Sequence, residues 1–390
     1  MPMTREEFSI LQLPETERSI EEAAGRDPLE AALDPRIPHA RLVATQLKYR
    51  ERARRKLPSF AAAGAILPPR AFEQASSEAC ALSKQLAGES VLDLTCGLGV
   101  DAWALSRRFR RVTALERDPL LAEITAWNLR KLGVEHVEVV CAPAEEFLQQ
   151  EGLRYDWIYA DPDRRSAAGR KMVCLTDCSP DIGALLPRLR EVAPRICIKN
   201  SPLFDVDEAF RVFGAGCRVE VLSAGDECKE VVVYADGSPA SLTATAVGRG
   251  SATYTREEAA AAPALPESFD PARYGWLVLP DVALRKARMA RRHLAGRADL
   301  WSESGFGFAA EPFDDPLVRL LPIETIEPYD PQRLKRALKG ARAEVLKRDF
   351  PLAQEELMRR LGLRAGSDLR LAFTKIGNDY WAIRLKTLPL

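Results

Sequence analysis

The sequence predicts an α/β protein: a central, mostly parallel sheet domain, a helical region before it and smaller α+β domains after it. Three observations carry this. Apolar strands alternate with helical stretches between about residues 88 and 237. The first strand runs directly into a glycine-rich turn and a helix, VLDLTCGLGVD at 91–101. Before residue 86 no strand alternation appears, and apolar residues recur at three- and four-residue intervals.

The 390 residues suffice for about two or three domains, each burying its own core. The 56 basic and 56 acidic residues cancel, so the summed charge says nothing about nucleic acid and the local distribution must carry that question. No segment reaches the roughly 18 to 20 uninterrupted apolar residues of a membrane span. The first residues carry glutamates where a secretory signal would be apolar, so a cytoplasmic location is expected. The eight cysteines (80, 96, 141, 174, 178, 197, 217 and 228) are expected to be reduced and mostly buried. Cys174 and Cys178 have no second cysteine pair nearby and the three histidines lie far away in sequence, so no metal is expected.

Taken in order, the first region (1–86) holds a helix over ARLVATQLKYRERARRKL and another from Phe72 to Leu86, after the helix-stopping Pro68-Pro69 pair. The second (87–237) has strands at 90–94, 111–115, 136–140, 155–160, 195–199, 217–223 and 229–235. Helices lie between them near 100–109, 119–132, 143–150, 181–190 and 205–213. Asp118-Pro119 starts the second of these helices and Gly133 follows its end, where a left-handed cap is wanted. The third region (238–316) opens with a Gly, Ser, Ala and Pro-rich connection and holds the strand YGWLVLP and the helix DVALRKARMARRHL. The fourth (317–390) has helices near 331–339 and over EELMRRLG, a short strand around Ala343 to Leu346, and two closing strands, LRLAFTK and YWAIRLK.

The chemistry begins at the first turn. Gly97 and Gly99 let the backbone turn tightly and approach a ligand with no Cβ in the way. GLGVDA satisfies the loose dinucleotide pattern. Asp93 shifts the balance, because an anion before the loop repels pyrophosphate but suits the cationic methionine part of S-adenosylmethionine. Thr95 adds a hydroxyl to the same bend, and Glu116, ending the next strand, is placed to accept both ribose hydroxyls. A nicotinamide or flavin site, or a helix-capping Asp93 with a solvated Glu116, remain alternatives.

The fourth strand, YDWIYADPDRR, ends in Asp161-Pro162 at the carboxyl edge of the sheet, where open α/β sheets bind ligands. Proline holds Asp161 extended, so carboxylate and carbonyl can both face a pocket. Arg164 and Arg165 offer planar forks for phosphate or carboxylate, or pair with Asp163. Lys199 lies at the comparable edge of a later strand, with Lys229 and Glu230 at another. Basic residues concentrate in 48–56, 285–297 and 331–348, a distribution that suits a nucleic-acid backbone as well as solvated helix faces. No helix-turn-helix or zinc-finger spacing appears, which prefers RNA over duplex DNA. Trp276, Trp301, Phe306 and Phe308 read chiefly as core.

EQASSE at 73–78, DLTCGLGVD at 93–101, ALERDP at 114–119, the Asn128 helix, DPDRR at 161–165, IKNSPLFD at 198–205 and ECKE at 227–230 resemble a bacterial family. It is the family of class I S-adenosylmethionine-dependent methyltransferases with a C-terminal THUMP-like domain. The last 70 or so residues resemble its THUMP-like module, more loosely, after a small ferredoxin-like domain. The resemblance implies a Rossmann-like methyltransferase domain with cofactor around Asp93, Thr95, Gly97, Gly99 and Glu116. Related methyltransferases add the backbone near Ala144 and the Glu145 side chain, flanking the adenine. It also implies RNA, rRNA or tRNA, as substrate. Amino-group methyltransferases commonly end this strand in D/N-P-P-Y/F. Here Asp161 and Pro162 match, and Asp163 and Arg164 replace the second proline and the stacking aromatic. Tyr159 shares the side of the strand with Asp161 and supplies a ring only if the strand edge bends. The expected chemistry is thus N-methylation by Asp161 and Pro162, with Arg164, Arg165 and Lys199 on the substrate. Small-molecule or protein methylation, or RNA binding beside a vestigial cofactor pocket, are the alternatives.

Overall fold

Glycine-rich turns and Asp-Pro pairs divide the strands from the helices as the sequence requires, and the computed structural model describes residues 3–164, 178–261, 263–264 and 266–386. Two compact units result, Met1–Arg218 with Val231–Ser238, and Val219–Glu230 with Pro239–Leu390.

The first unit opens with seven helices: α1 (Arg5–Leu11), α2 (Pro14–Glu22), α3 (Pro28–Leu33), α4 (Ala40–Lys56), α5 (Pro58–Ala62), α6 (Pro69–Gln74) and α7 (Glu78–Ser83). The single helix expected from Phe72 to Leu86 is therefore two. Ser77 interrupts it, its hydroxyl accepting the Cys80 amide as an N-cap, the position where serine competes best with helix continuation. The sheet follows, with β1 (Gly88–Asp93), β2 (Phe109–Glu116), β3 (Val137–Cys141), β4 (Trp157–Ala160), a short antiparallel pair β5 (Asp163–Arg164) and β6 (Cys178–Ser179), β7 (Arg195–Asn200), β8 (Cys217–Ala224) and β9 (Glu227–Ala235). Helices α8 (Val100–Leu105), α9 (Pro119–Lys131), α10 (Ala144–Phe147), α11 (Ile182–Val192) and α12 (Val206–Phe213) connect them.

Strands run β9-β7-β4-β1-β2-β3, parallel from β7 to β3, with Val231–Ala235 of β9 antiparallel to β7. The chain leaves β1 toward β3 and then returns on the other side to β4, so the strand order reverses between β1 and β4. A crevice opens at such a reversal because the connections depart to opposite faces. Val91, Leu92, Ile158 and Tyr159 are fully buried, as in a parallel sheet covered on both faces. Asp118 caps α9, accepting from the Leu120 and Leu121 amides, a contact that contributes about 1 kcal/mol.

The N-terminal helices are seated on this domain by two buried amides. Asn128 on α9 accepts from Ile66 N at 2.8 Å and donates to its carbonyl at 2.9 Å. Gln46 on α4 does the same for Leu67, at 3.0 and 3.3 Å. The stretch leading to Pro68 is thus pinned in an extended form that neither helix nor strand would supply.

The second unit contains the 219–230 part of the β8–β9 hairpin and the hairpin β10 (Ser241–Ala246) and β11 (Gly250–Thr255), followed by α13 (Arg256–Ala260). This second hairpin lies in the stretch read as a connection, where Thr and Ala at alternating positions gave too weak an apolar signal. Then come β12 (Trp276–Pro280), α14 (Val282–Lys286), α15 (Ala290–Leu294), β13 (Asp299–Leu300), β14 (Gly307–Ala309), β15 (Val318–Pro328), α16 (Pro331–Leu338), β16 (Arg342–Lys347), α17 (Gln354–Leu361), β17 (Arg364–Ala365), β18 (Leu369–Ile376) and β19 (Asp379–Leu385). One sheet orders them β13-β14-β12-β15-β19-β18-β16-β17, the long β15 pairing with β12 along its first half and β19 along its second. The single helix expected over 281–294 breaks at Arg288, which is left-handed (φ 57°). The break lets Leu284, Met289, Ala290 and Leu294 all bury completely, which one straight helix on this face would not. Phe306 and Phe308 are core residues, as expected. Among the described residues no helix is long and apolar enough to cross a membrane.

Candidate active site

The turn after β1 is organised by three side chains. The Asp93 carboxylate is fully buried; Oδ1 accepts the Thr95 amide at 2.9 Å, and Oδ2 has no hydrogen-bond partner among the described residues. Burial pushes this carboxyl well above its ordinary value, against the Thr95 amide, and the charges of Asp101, Asp161 and Glu116 push the same way. Glu116, at the end of β2, spans the loop from the other side: Oε2 accepts from Gly97 N at 3.0 Å and Oε1 from Asp118 N at 2.8 Å. Its carboxyl is raised by burial in spite of those two amides. Gly97 and Gly99 both take positive φ, 55° and 83°. A Cβ on Gly99 would stand 2.7 Å from Cγ2 of Thr125, whose hydroxyl donates to the Gly97 carbonyl at 2.7 Å. Glycine is required there by space as well as by conformation.

Thr95 joins this loop to β4, because its hydroxyl oxygen accepts the backbone N–H of Asp161 at 2.6 Å. The Asp161 carboxylate in turn accepts from Lys199 Nζ at 2.5 Å, so Lys199, expected on the substrate, is brought to Asp161. Burial raises the Asp161 carboxyl above its ordinary value, and Lys199 offsets this only in part. Behind them, Lys84 and Asp101 form an ion pair at 2.8 Å with almost no exposure, Asp101 also accepting from Ser76 Oγ at 2.7 Å. Burial alone would raise Asp101, but Lys84 and then Lys199 hold it below its ordinary value. Lys84 was not singled out from the sequence; the one signal is a lysine inside the otherwise uncharged run CALSKQLAG.

A cavity of about 310 Å³ opens beside these groups. Of the expected site residues, Thr95, Gly97, Glu116, Ala144, Glu145 and Asp161 line it. Asp93, Gly99, Pro162 and Lys199 are not among its lining residues. Tyr159 is fully buried, so the strand edge does not bend to present its ring, and no aromatic side chain lines the cavity among the described residues. The side chain of Arg164, all of Arg165 and Cys174 lie outside the described residues. Pro68, Arg70, Gln74 and Ser76 cover one side of the cavity, so the helical N-terminal region forms part of its wall. Opposite them Arg117 reaches Ser179 Oγ at 3.2 Å and lies 4.0 Å from Asp163, at the β5–β6 pair. Cys80, Cys96, Cys178, Cys197 and Cys217 are buried and Cys141 is exposed. No group of three His, Cys, Asp or Glu suited to a metal occurs among the described residues.

An acid-lined cavity at a strand-order reversal fits a cationic cofactor better than a pyrophosphate. The comparisons agree. The family described as THUMP domain-like matches residues 318–386, and that described as conserved hypothetical protein 95 matches 76–173. An uncharacterised S-adenosylmethionine-dependent methyltransferase of Mycobacterium tuberculosis is 27% identical over 346 residues, covering 86% of this chain and 92% of that one. A ribosomal RNA small subunit methyltransferase J of Tolumonas auensis is 32% identical over 133 residues, 30% of this chain and 53% of that one. The crystal structure of a Porphyromonas gingivalis W83 protein assigned as a methyltransferase superposes over 99% of both chains with TM-score 0.78 at 22% identity. The chain therefore has a class I S-adenosylmethionine-dependent methyltransferase fold with a C-terminal THUMP-like domain.

Proposed function

We propose that this chain transfers a methyl group from S-adenosylmethionine to a base nitrogen of structured RNA, rRNA or tRNA. One observation carries the reading: the Thr95 hydroxyl holds Asp161 N–H, fixing the glycine loop and the Asp161-Pro162 edge at a shared cavity. The cofactor supplies an electrophilic methyl on a positively charged sulfur. Glu116 is placed to accept ribose hydroxyls through lone pairs its two amide contacts leave available, and Ala144 and Glu145 to flank the adenine. Asp93, fully buried with an oxygen that has no hydrogen-bond partner among the described residues, is held toward its neutral form by its surroundings, and a cation bound at the loop is what would favour its negative form. Asp161, oriented by Lys199, accepts a hydrogen bond from an exocyclic amine and steers its lone pair toward the methyl. The carboxylate stabilises positive charge as it develops on nitrogen, and the proton departs after attack.

Methylation of carbon through a cysteine adduct has less support. Cys96 is the cysteine lining the cavity among the described residues, and burial, with Asp93 and Glu116 nearby, pushes its thiol well up, away from a reactive thiolate. RNA as the substrate class is supported by the names of relatives, among them ribosomal RNA methyltransferases and a tRNA/tmRNA (uracil-C(5))-methyltransferase, which match shorter stretches of this chain.

The test is transfer of a radiolabelled methyl group to total RNA from a deletion strain, comparing the native chain with Asp161→Ala and Asp161→Asn. Label in one RNA class, lost in Asp161→Ala and recovered on a nitrogen after digestion to nucleosides, is the expected result. A chain that binds cofactor but labels no RNA would overturn the RNA reading, and label on carbon would overturn the nitrogen chemistry.

A further inference from the structure

Two basic stretches far apart in the sequence meet in the second unit. Arg285 comes from the 285–297 stretch and Lys347 and Arg348 from 331–348. They line one cleft of about 500 Å³ with Arg249, which follows β10, and Arg319 on β15. Against these five cations the cleft sets two carboxylates, Asp226 and Asp281. Both carboxylates are engaged. Asp281 accepts from Ser223 Oγ at 2.5 Å and the Ala283 amide at 2.8 Å, and pairs with Arg249 at 3.2 Å. Asp226 lies 3.8 Å from Arg319.

Arg285 and Arg348 have no carboxylate within ion-pair distance among the described residues. Nε of Arg285 is buried without a hydrogen-bond partner among the described residues. The Arg348 guanidinium donates to the carbonyls of Gly305 at 3.1 Å and Pro280 at 3.4 Å, with its centre 5.0 Å from the Phe306 ring. Burial, with Arg285 and Arg319 close by, pushes Arg348 down to about 9, and burial lowers Arg285 too. Like charges gathered in a half-buried cleft repel one another unless an anion completes the group. Planar forks converging from several directions match a tetrahedral oxyanion with several acceptors better than one planar carboxylate.

We propose that this cleft binds a phosphate group of the RNA substrate, with Arg285, Arg319 and Arg348 as its donors. It rests on the RNA reading above for the source of the phosphate, though the chemistry of the cleft does not. The cleft joins residues from β15 and β16 with others from α14 and the β10–β11 turn, so it selects a feature of the RNA at a place other than the methyl-transfer cavity.

The test uses the full chain, Arg285→Gln, and Arg319→Gln, whose half-exposed side chain is removable without opening a core. Thermal unfolding is followed in inorganic phosphate and in sodium chloride of equal ionic strength, and RNA binding across a salt series. Phosphate raises the unfolding midpoint of the native chain above that in chloride, and both variants lose the difference. RNA affinity falls about tenfold in each variant, and the slope of log K against log salt falls by about one per lost contact. Arg285→Lys, which keeps the charge and loses the fork, lies between. Phosphate protection that is missing in the native chain, or persists in the variants, overturns the site. Unchanged RNA affinity and slope in both variants overturn the assignment to RNA. A native chain that binds no RNA, yet is protected by phosphate in a manner both variants lose, keeps the site for a small phosphate ligand and sinks the RNA reading instead.

Discussion

Replacing Gly99 by alanine separates two physical costs that the loop imposes on one residue. Its φ of 83° is left-handed, which costs a residue with a Cβ about 1–2 kcal/mol. The new Cβ would also meet Thr125 Cγ2 at 2.7 Å. Thr125 is fully buried, so relief requires moving a packed side chain, at a further cost of about 1–3 kcal/mol. Gly99→Ala should therefore destabilise by about 2–5 kcal/mol and weaken cofactor binding, because Thr125 holds the Gly97 carbonyl. Gly97→Ala is the comparison. Its φ is also positive, but no atom lies within 4 Å of the added Cβ, so it should carry only the conformational cost in stability. Thr125→Ser deletes Cγ2 and keeps the hydroxyl. Combined with Gly99→Ala it should recover the steric part, a coupling of about 1–3 kcal/mol in a double-mutant cycle. Urea unfolding and calorimetric titration with S-adenosylmethionine measure both effects. If Gly99→Ala costs no more than Gly97→Ala and the cycle is additive, the steric argument is refuted.

Other consequences follow from the same contacts. Lys84→Met strands Asp101 in the interior and should cost about 3–5 kcal/mol near neutral pH. The native Asp101 is depressed, so its contribution is present above its ordinary value and lost only as pH falls below it. In the variant burial is unopposed by Lys84, and stability should instead recover on acidification; a pH series of unfolding midpoints reads the change of sign. Because Glu116 is raised, S-adenosylmethionine affinity should fall with decreasing pH from above the ordinary 4.5, and Glu116→Gln should be weaker throughout and lack that acid limb in titrations between about pH 5 and 8. Thr95→Val leaves the Asp161 amide without its acceptor, at about 1–3 kcal/mol; turnover should drop more than cofactor affinity, and the reverse order would contradict the positioning role. Lys199→Met removes the cation beside Asp161 and should shift the acid limb of the pH–rate profile upward; an unmoved limb would show that Asp161 does not titrate in the reaction.

The α/β order was legible because strands and helices differ in the period of their apolar residues, and that period is a local property. The ends of strands β1, β2 and β4 were legible for the same reason, together with the residues placed on them: Asp93, Glu116 and Asp161. Breaks inside helical patterns were less so. Ser77 and Arg288 interrupt stretches whose apolar spacing continues across them, and only the packing of each half decides that two short helices bury more than one. The β10–β11 hairpin was missed because its alternating positions hold Thr and Ala: β10 buries Leu242, Ala244 and Ala246 while its threonines stay partly exposed, a contrast that periodicity barely registers.

By itself, then, the sequence determined an α/β core, a glycine turn that excludes Cβ atoms, and carboxylates at the edges of adjacent strands. Tertiary structure decided the partnerships. That Asn128 and Gln46 pin the backbone before Pro68, that Thr95 takes the amide of Asp161 and Lys199 its carboxylate, and that Arg285 meets Arg348 are contacts between segments distant in the chain. Spacing along a sequence fixes which face a residue occupies but not which other face comes to meet it, and these contacts depend on that second choice.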